Sequence, residues 1–301
     1  MLTKRTLAVV LIAAVAPLAA GGQSRQARPT PQAPAIVYGS NQAAGQTFVH
    51  DGVRLYYETY GTGEPLLMVH PNGGSIADLS AQIEHFRQRY RVIAMDSRDH
   101  GRSGDSPGLL TYEKMTDDLA ALLDSLNVGP VNVLGWSDGG IEALLLGIRH
   151  PAKVRKLVTM AANLTPAGLH PDATTLIQSL VADLKARATT PAARRELKVT
   201  SMILSEPNIP LTALEKIEAP TLVLASDHDV IADTHTLDIY HHLRNSQLAI
   251  FPDALHTVPF DDAATFNGVV DRFLTTPFRR RNRIDETMQS LERLRTRAPQ
   301  R

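Results

Sequence analysis

The chain has 301 residues, 43% of them hydrophobic, so it is long and apolar enough to bury the core of one large domain with appendages. It contains no cysteine, which excludes a disulfide framework, a metal site with cysteine ligands and a cysteine nucleophile. The 31 basic and 31 acidic residues balance, but eight arginines follow Pro277 and leave the rest of the chain acidic, which argues against nucleic acid as a partner.

The N-terminus has the pattern of a secretory signal peptide. Lys4 and Arg5 precede the apolar run Leu7–Ala20, and small residues follow this run as far as Gly22. We therefore expect residues 1–22 to be a signal peptide and the protein to be exported, either periplasmic or secreted. The apolar run is shorter than the ~20 residues that a membrane-spanning helix needs, which argues against a stable membrane span.

A proline-rich linker, residues 23–46, is predicted to follow. Its prolines lie between Arg28 and Pro34, and it offers little apolar surface to bury, so it is expected to be extended. Folded sequence is predicted to begin near Thr47 and to form one domain over residues 47–276.

Short apolar runs alternate with stretches of helical period across this domain. The predicted strands are Leu55–Thr59, Leu66–Val69, Arg91–Met95, Val131–Leu134, Leu157–Met160, Thr221–Ala225 and Gln247–Phe251; the clearest helices are Ser75–Arg89, Tyr112–Leu126 and Ile141–Arg149. Several strand runs are apolar throughout, as in parallel strands covered on both faces. The pattern predicts an α/β fold with a mostly parallel central sheet flanked by helices, and a small helical cap over residues 163–214.

In such a sheet, ligands bind outside the carboxyl ends of the strands, so reactive residues are expected in the loops there. The first of three such loops follows Val131–Leu134 and has the pattern G-x-S-x-G from Gly135 to Gly139. Between a strand and a helix, this pattern is typical of a sharp turn that presents a nucleophilic serine, here Ser137. The N–H of Asp138, at the start of the helix, is placed to stabilise an oxyanion.

The other two loops carry an acid and a histidine. A serine hydroxyl needs a general base, and the base needs a third group that orients it. Asp229, after the strand Thr221–Ala225, is our choice for the orienting acid; Asp227 is the alternative, unless it only caps its loop. His256 follows the last strand, which gives the chain order serine, acid, histidine. We therefore predict a catalytic triad of Ser137, Asp229 and His256.

With these residues in place, the chain from about Thr47 to Pro277 resembles the α/β-hydrolase superfamily. Its turn Gly135–Gly140 is similar to that of the biphenyl-hydrolase-like and valacyclovir hydrolase branch of serine esterases, which act on activated or amino-acid esters. The resemblance implies that Asp138 binds a substrate ammonium group by charge pairing; the alternative is that its carboxylate holds nearby loop N–H groups or faces water. Trp136 is a second candidate for substrate contact, or packs beneath the turn.

Two departures from the family pattern concern the loops. Members usually have His-Gly-x after the strand Leu66–Val69, whereas this chain has Pro71 in the second position, so the second oxyanion N–H is expected from Asn72. Pro71 fixes φ where glycine is free. In a turn that resembles D-x-R-G-x-G-x-S, Asp99 stands in the usual position of glycine. Aspartate tolerates a left-handed backbone better than most residues do, so the turn can still form, and we interpret it as structural.

The resulting hypothesis is a hydrolase of small-molecule carboxylic esters that forms an acyl-enzyme and needs no metal or organic cofactor. Lactone, C–C bond and amide hydrolysis, the last as an aminopeptidase, would use the same triad and stay open, as does perhydrolysis. Haloalkane dehalogenases and epoxide hydrolases use an aspartate nucleophile, so Ser137 argues against both. A non-catalytic ligand-binding homologue is the alternative outside enzymes. The sequence predicts no oligomeric state.

A basic tail, residues 277–301, ends the chain. Arg279–Arg283 precede Met288, Leu291 and Leu294, which predicts an amphipathic helix. Such a helix either contacts an anionic membrane or polymer, or is a solvated end, which is the interpretation we favour.

Overall fold

A computed structural model describes residues 36–297. The predicted signal peptide, residues 1–22, and the first half of the predicted linker lie outside the described residues. In the part that is described, the carboxyl ends of the strands gather the loops that carry the candidate site.

The strands are β1 (Gly45–His50), β2 (Val53–Tyr60), β3 (Glu64–Val69), β4 (Tyr90–Asp96), β5 (Val131–Trp136), β6 (Val154–Met160), β7 (Thr221–His228) and β8 (Ser246–Leu255). They form one eight-stranded sheet in the order β1-β2-β4-β3-β5-β6-β7-β8. β2 pairs antiparallel with both β1 and β4, and all other neighbours are parallel. The predicted, mostly parallel sheet is confirmed.

The α-helices are α1 (Ser80–Phe86), α2 (Tyr112–Ser125), α3 (Asp138–Arg149), α4 (Pro171–Arg187), α5 (Pro191–Met202), α6 (Asp233–His242), α7 (Val258–Asp261), α8 (Ala263–Thr275) and α9 (Arg283–Arg297). Short 3-10 helices cover Ile76–Leu79, Pro151–Lys153, Pro166–Gly168 and Leu211–Lys216. Because Ile76–Leu79 is a 3-10 helix capped by Ser75, the helix expected over Ser75–Arg89 is split in two.

Helices cover both faces of the sheet because successive side chains of a strand point to opposite sides. In β3, Leu67 and Val69 join an apolar cluster with residues of α2 and α3, whereas Leu66 and Met68 join one with residues of α1 and α8. All four side chains are fully buried, as the uniformly apolar run predicts for a central parallel strand.

Packed structure begins before Thr47, where the sequence placed the start of the domain. Tyr38 is buried and stacks edge-on against Tyr60. The N–H groups of Gly39 and Asn41 donate to the fully buried carboxylate of Glu58, at 2.8 and 2.9 Å. The last part of the predicted linker is therefore attached to the sheet, because a buried carboxylate needs these donors.

Helices α4 and α5 occupy most of residues 163–214 and pack against each other. α5 buries Val199 and Met202 in the cluster that contains α2 and α3, so this pair of helices is anchored mainly through α5. Within residues 36–297, no helix is long and apolar enough to cross a membrane.

Candidate active site

The turn between β5 and α3 holds Ser137 in a conformation that non-glycine residues rarely adopt, with φ of 56°. Its two flanking glycines are sterically required. A Cβ on Gly135 would lie 2.0 Å from the carbonyl oxygen of Gly139, and a Cβ on Gly139 would lie 2.2 Å from that of Val69. The close backbone crossing places the Ser137 hydroxyl at the carboxyl end of the sheet.

The structure brings together the three residues of the predicted triad. Nε2 of His256 lies 3.0 Å from Oγ of Ser137, and Nδ1 of His256 lies 2.7 Å from Oδ1 of Asp229. The Asp229 side chain is buried, and its carboxylate also accepts the N–H of Ile231 at 3.2 Å. With Asp229 accepting from Nδ1–H, Nε2 is left to accept the proton of the Ser137 hydroxyl.

Asp227, the alternative acid, lies elsewhere. Its carboxylate accepts the N–H groups of Asp253 and Ala254, at 2.9 and 3.0 Å, in the segment that leads to His256. Both hydrogen bonds lower the pKa of Asp227, and the one from Ala254 has the larger effect. Asp227 thus caps the segment that leads to the histidine, which is the alternative role that the sequence suggested for it.

The two N–H groups predicted to hold an oxyanion, those of Asn72 and Asp138, donate to no acceptor within residues 36–297. The Asn72 side chain, in contrast, is engaged. Its Nδ2 donates to Oδ2 of Asp138 at 2.8 Å and to the carbonyl oxygen of Val199 on α5 at 3.3 Å. Asn72 therefore links the loop after β3 to the nucleophile turn and to α5, while its backbone N–H is free.

His70 fixes the loop that contains Pro71. Its Nδ1–H donates to the carbonyl oxygen of Pro71 at 2.8 Å, and its Nε2 accepts the N–H of Ser97 at 3.0 Å. Burial lowers the pKa of His70 to about 4, so the ring is neutral and can both donate and accept. These two hydrogen bonds fix the backbone around Pro71, which stands where the pattern His-Gly-x has glycine.

Asp138 is buried, and burial raises the pKa of its carboxyl to about 6, although the Asn72 amide and the Tyr112 hydroxyl act in the opposite direction. One turn later on α3, Glu142 is fully buried, and its pKa is raised well above the usual value, first by burial and then by the Asp138 charge. The sequence analysis missed Glu142. Its signal was a lone acid in the apolar stretch Ile141–Leu146.

Trp136 lies beneath the histidine loop. It is 7% exposed, and its Nε1–H donates to the carbonyl oxygen of His256 at 3.0 Å. The polar atom of the indole is therefore engaged with the chain, and only the ring is left for contact with a ligand. The donor braces the segment that carries the base.

Comparisons with known proteins cover most of the described chain. Residues 64–197 match the family described as alpha/beta hydrolase fold. The serine hydrolase BPHL of Mus musculus is 28% identical over 269 residues, which are 81% of this chain and 91% of that protein. The family match contains Ser137 and ends before Asp229 and His256, so the link between the three residues rests on the geometry.

Two solved structures have the same fold and similar sequences. Est816, described as an N-acyl homoserine lactone degrading enzyme, has a TM-score of 0.64 at 25% identity, covering 76% of this chain and 100% of its own. A thermophilic esterase from Thermogutta terrifontis has a TM-score of 0.61 at 25% identity, covering 77% of this chain and 97% of its own.

Proposed function

We propose that the chain is a serine hydrolase of the α/β-hydrolase superfamily that cleaves small carboxylic esters with Ser137, His256 and Asp229. The observation that carries the proposal is the continuous hydrogen-bonded path from Asp229 through His256 to Ser137. This path lies at a turn whose glycines leave no room for any side chain. A nucleophile, its base and an orienting acid in this order are the parts that acyl transfer requires.

Acylation starts when Oγ of Ser137 attacks the ester carbonyl carbon and Nε2 of His256 takes its proton. Asp229 stabilises the imidazolium that forms. The N–H groups of Asn72 and Asp138 hold the negative oxygen of the tetrahedral intermediate, and each such donor contributes roughly 10²–10³-fold in rate. Collapse of the intermediate breaks the ester C–O bond, and His256 returns the proton to the leaving alcohol.

Deacylation repeats these steps with water as the nucleophile. His256 takes a proton from water as its oxygen attacks the acyl carbon, and the same N–H groups hold the second oxyanion. The proton then passes to Oγ of Ser137, which releases the carboxylic acid and restores the hydroxyl.

Substrate selection is proposed to involve Asp138 and Trp136. The Asp138 carboxyl, with its pKa of about 6, is anionic at neutral pH, and Asp138 directly follows Ser137 in the chain. An ester with an ammonium group close to its acyl carbon would gain an ion pair at this buried position. Trp136 would contribute the surface of its ring, because its N–H is engaged by His256.

Lactone hydrolysis is a second candidate, favoured by the similarity to Est816. A lactone is a cyclic ester, so the same attack by Ser137 applies and the leaving alcohol stays tethered to the acyl group. The order of rates on open-chain esters and lactones of equal carbon number distinguishes the two functions.

Export remains a proposal that rests on Lys4, Arg5 and the apolar run Leu7–Ala20. N-terminal sequencing of the protein recovered from the periplasm or the medium tests it. A chain that starts within residues 21–23 supports export, whereas an intact Met1 in the cytoplasm contradicts it.

The experiment for the central proposal is hydrolysis of p-nitrophenyl esters from acetate to decanoate by the purified protein. Ser137→Ala is the test variant, and Ser125→Ala, on the exposed surface of α2, is its matched control. We expect turnover by the parent and the control and its loss in Ser137→Ala. Equal rates in all three proteins would overturn the proposed nucleophile, and no turnover of any ester or lactone by the parent would overturn the function.

A further inference from the structure

Asp99, where the family pattern has glycine, adopts a left-handed backbone with φ of 62° in the loop between β4 and α2. This conformation favours glycine, so a side chain here needs compensating contacts. The backbone of the turn does not need the carboxylate, since the N–H of Asp99 donates to the carbonyl oxygen of Gly104 at 3.1 Å. The contacts of the carboxylate therefore indicate what the departure from glycine provides.

The carboxylate of Asp99 binds a lysine of the cap. Nζ of Lys198 lies 3.0 and 3.1 Å from its two oxygens, and the Asp99 side chain is 2% exposed. Ser106 completes the cluster: its N–H donates to Asp99 at 3.1 Å, and its carbonyl oxygen accepts from Nζ at 2.7 Å. The Lys198 side chain is 23% exposed, so the pair is shielded much more than a surface ion pair.

The neighbour of Lys198 is attached to the candidate oxyanion loop. The carbonyl oxygen of Val199 accepts from Nδ2 of Asn72, which also donates to Asp138. One turn of α5 is thus attached to two loops: Lys198 binds the loop after β4, and Val199 accepts a hydrogen bond from the loop after β3. Most other residues of α5 are exposed or half-buried. The position of α5 relative to the loop after β3 therefore depends on this turn, together with the ion pair of Arg195 with Asp105.

We propose that Asp99 and Lys198 are positioning residues that hold α5 against the active site and limit the length of acyl group it accepts. This inference rests on the proposed ester hydrolysis. With the ion pair in place, α5 stays close to Asn72, which contacts the nucleophile turn through Asp138, and long acyl chains are excluded. Without it, α5 moves away more readily and longer acyl chains enter, because the remaining ion pair between α5 and the loop after β4, that of Arg195 with Asp105, is more exposed to water.

The test uses Asp99→Gly, Lys198→Met and the double variant. Asp99→Gly removes the carboxylate, with the Ser106 N–H bond that it accepts, and relieves the left-handed backbone, whereas Lys198→Met leaves the bonds between Asp99 and Ser106 in place. Lys198→Met removes the charge and keeps an apolar stem of similar length. Arg187→Met is the matched control, because it breaks an exposed ion pair with Glu196 that lies wholly between α4 and α5.

Hydrogen exchange of the amides in residues 191–202 is the first readout, and it does not depend on any activity. We expect exchange roughly tenfold faster in Asp99→Gly and Lys198→Met, no further increase in the double variant, and no change in Arg187→Met. Unchanged exchange in Asp99→Gly, or effects that add in the double variant, would overturn the role of the pair. Asp99→Gly alone decides this point if Lys198→Met does not fold.

The ratio of kcat/KM for decanoate to that for acetate p-nitrophenyl esters is the second readout. It should rise by roughly fivefold in Asp99→Gly and stay at the parent value in Arg187→Met. Faster exchange with an unchanged ratio would contradict the role in acyl length. A parent protein without turnover would instead overturn the proposed function, while exchange would still decide whether the pair holds α5.

Discussion

At the residue scale, the position of Ser137 follows from sterics that are visible in five consecutive residues. Gly135 and Gly139 each face a backbone oxygen at a distance that excludes a Cβ. The contact of Gly135 lies within the turn and that of Gly139 is with Val69 of β3, but both glycines belong to the pattern G-x-S-x-G, so the sequence could predict the turn and its serine. His256 was predictable for a different reason, because it follows the last strand and completes the chain order serine, acid, histidine.

The choice between Asp227 and Asp229 was harder to derive from the sequence. Asp227 lies at the end of β7 and Asp229 directly after it, and only the geometry shows that Asp229 contacts His256 while Asp227 caps the segment before it. Glu142 was missed because a pattern of residues does not show which side of α3 is sealed from water. Its burial depends on how α2 and α3 pack, which is a tertiary property.

The two acids should therefore differ in their effect on turnover. We expect Asp229→Asn to lower kcat by roughly 10⁴-fold, because His256 loses both its orientation and the charge that stabilises its imidazolium. Asp227→Asn should lower kcat by less than about tenfold, because the amide oxygen can still accept one of the two loop N–H groups. Steady-state kinetics on one p-nitrophenyl ester measures both variants; the reverse order of effects would make Asp227 the orienting acid.

Asp138 predicts a pH-dependent stability. Burial raises its pKa from 3.8 to about 6, so the folded state binds this proton more tightly than the unfolded state does. The stabilisation is therefore complete below pH ~4 and is lost as pH rises through about 6. Asp138→Asn removes the ionisation, and its free energy of unfolding, relative to the parent, should increase by up to about 3 kcal/mol between pH 4 and pH 8.

Urea unfolding at pH 4, 6 and 8 measures this difference. Asp172→Asn, an exposed acid at the start of α4, is the matched control and should show no such change with pH. A difference between Asp138→Asn and the parent that stays constant across the three pH values would contradict the raised pKa of Asp138.

At the element scale, the predicted strands differ in how strongly the sequence marks them. The runs that became β3, β5 and β7 are apolar because both faces of the sheet are covered there. β1 was missed because it lies at the sheet edge with several residues exposed, so its sequence carries no apolar run. The ion pair of Asp99 with Lys198 was missed because its members are far apart in the chain and meet only when α5 docks.

The two ends of the described chain should contribute very differently to stability. Residues 36–44 supply N–H donors to the buried carboxylate of Glu58, whereas the apolar residues of α9, among them Ile284 and Met288, are 46–72% exposed. Compared with a chain that starts at residue 36, one that starts at residue 45 should lose about 2–3 kcal/mol of stability, because the buried Glu58 carboxylate loses two of its hydrogen-bond donors. A chain that ends at Arg281 should lose less than about 0.5 kcal/mol.

Thermal unfolding of these three chains tests the contrast. We expect a Tm about 5 °C or more below the reference for the chain that starts at residue 45, and an unchanged Tm for the chain that ends at Arg281. Equal Tm values for all three would show that residues 36–44 do not stabilise the sheet, and a large loss on removal of α9 would show that its apolar residues are covered.

At the scale of the whole molecule, the fold brings together loops that are distant in sequence. The loops after β3, β5, β7 and β8 meet at the carboxyl edge of the sheet, where they place Asn72, Ser137, Asp229 and His256 around one point. α5 lies against the same edge through Asn72. The scaffold therefore brings together the residues of the proposed chemistry, and we propose that the choice of substrate depends on α5 and Asp138.

Covalent labelling with an alkyl fluorophosphonate, followed by intact mass and peptide mapping, tests the central claim most directly. The account predicts one adduct per chain, located on Ser137, no adduct in Ser137→Ala, and labelling slowed by several orders of magnitude in His256→Ala. An adduct on another residue, equal labelling of parent and Ser137→Ala, or an unreactive parent would contradict it.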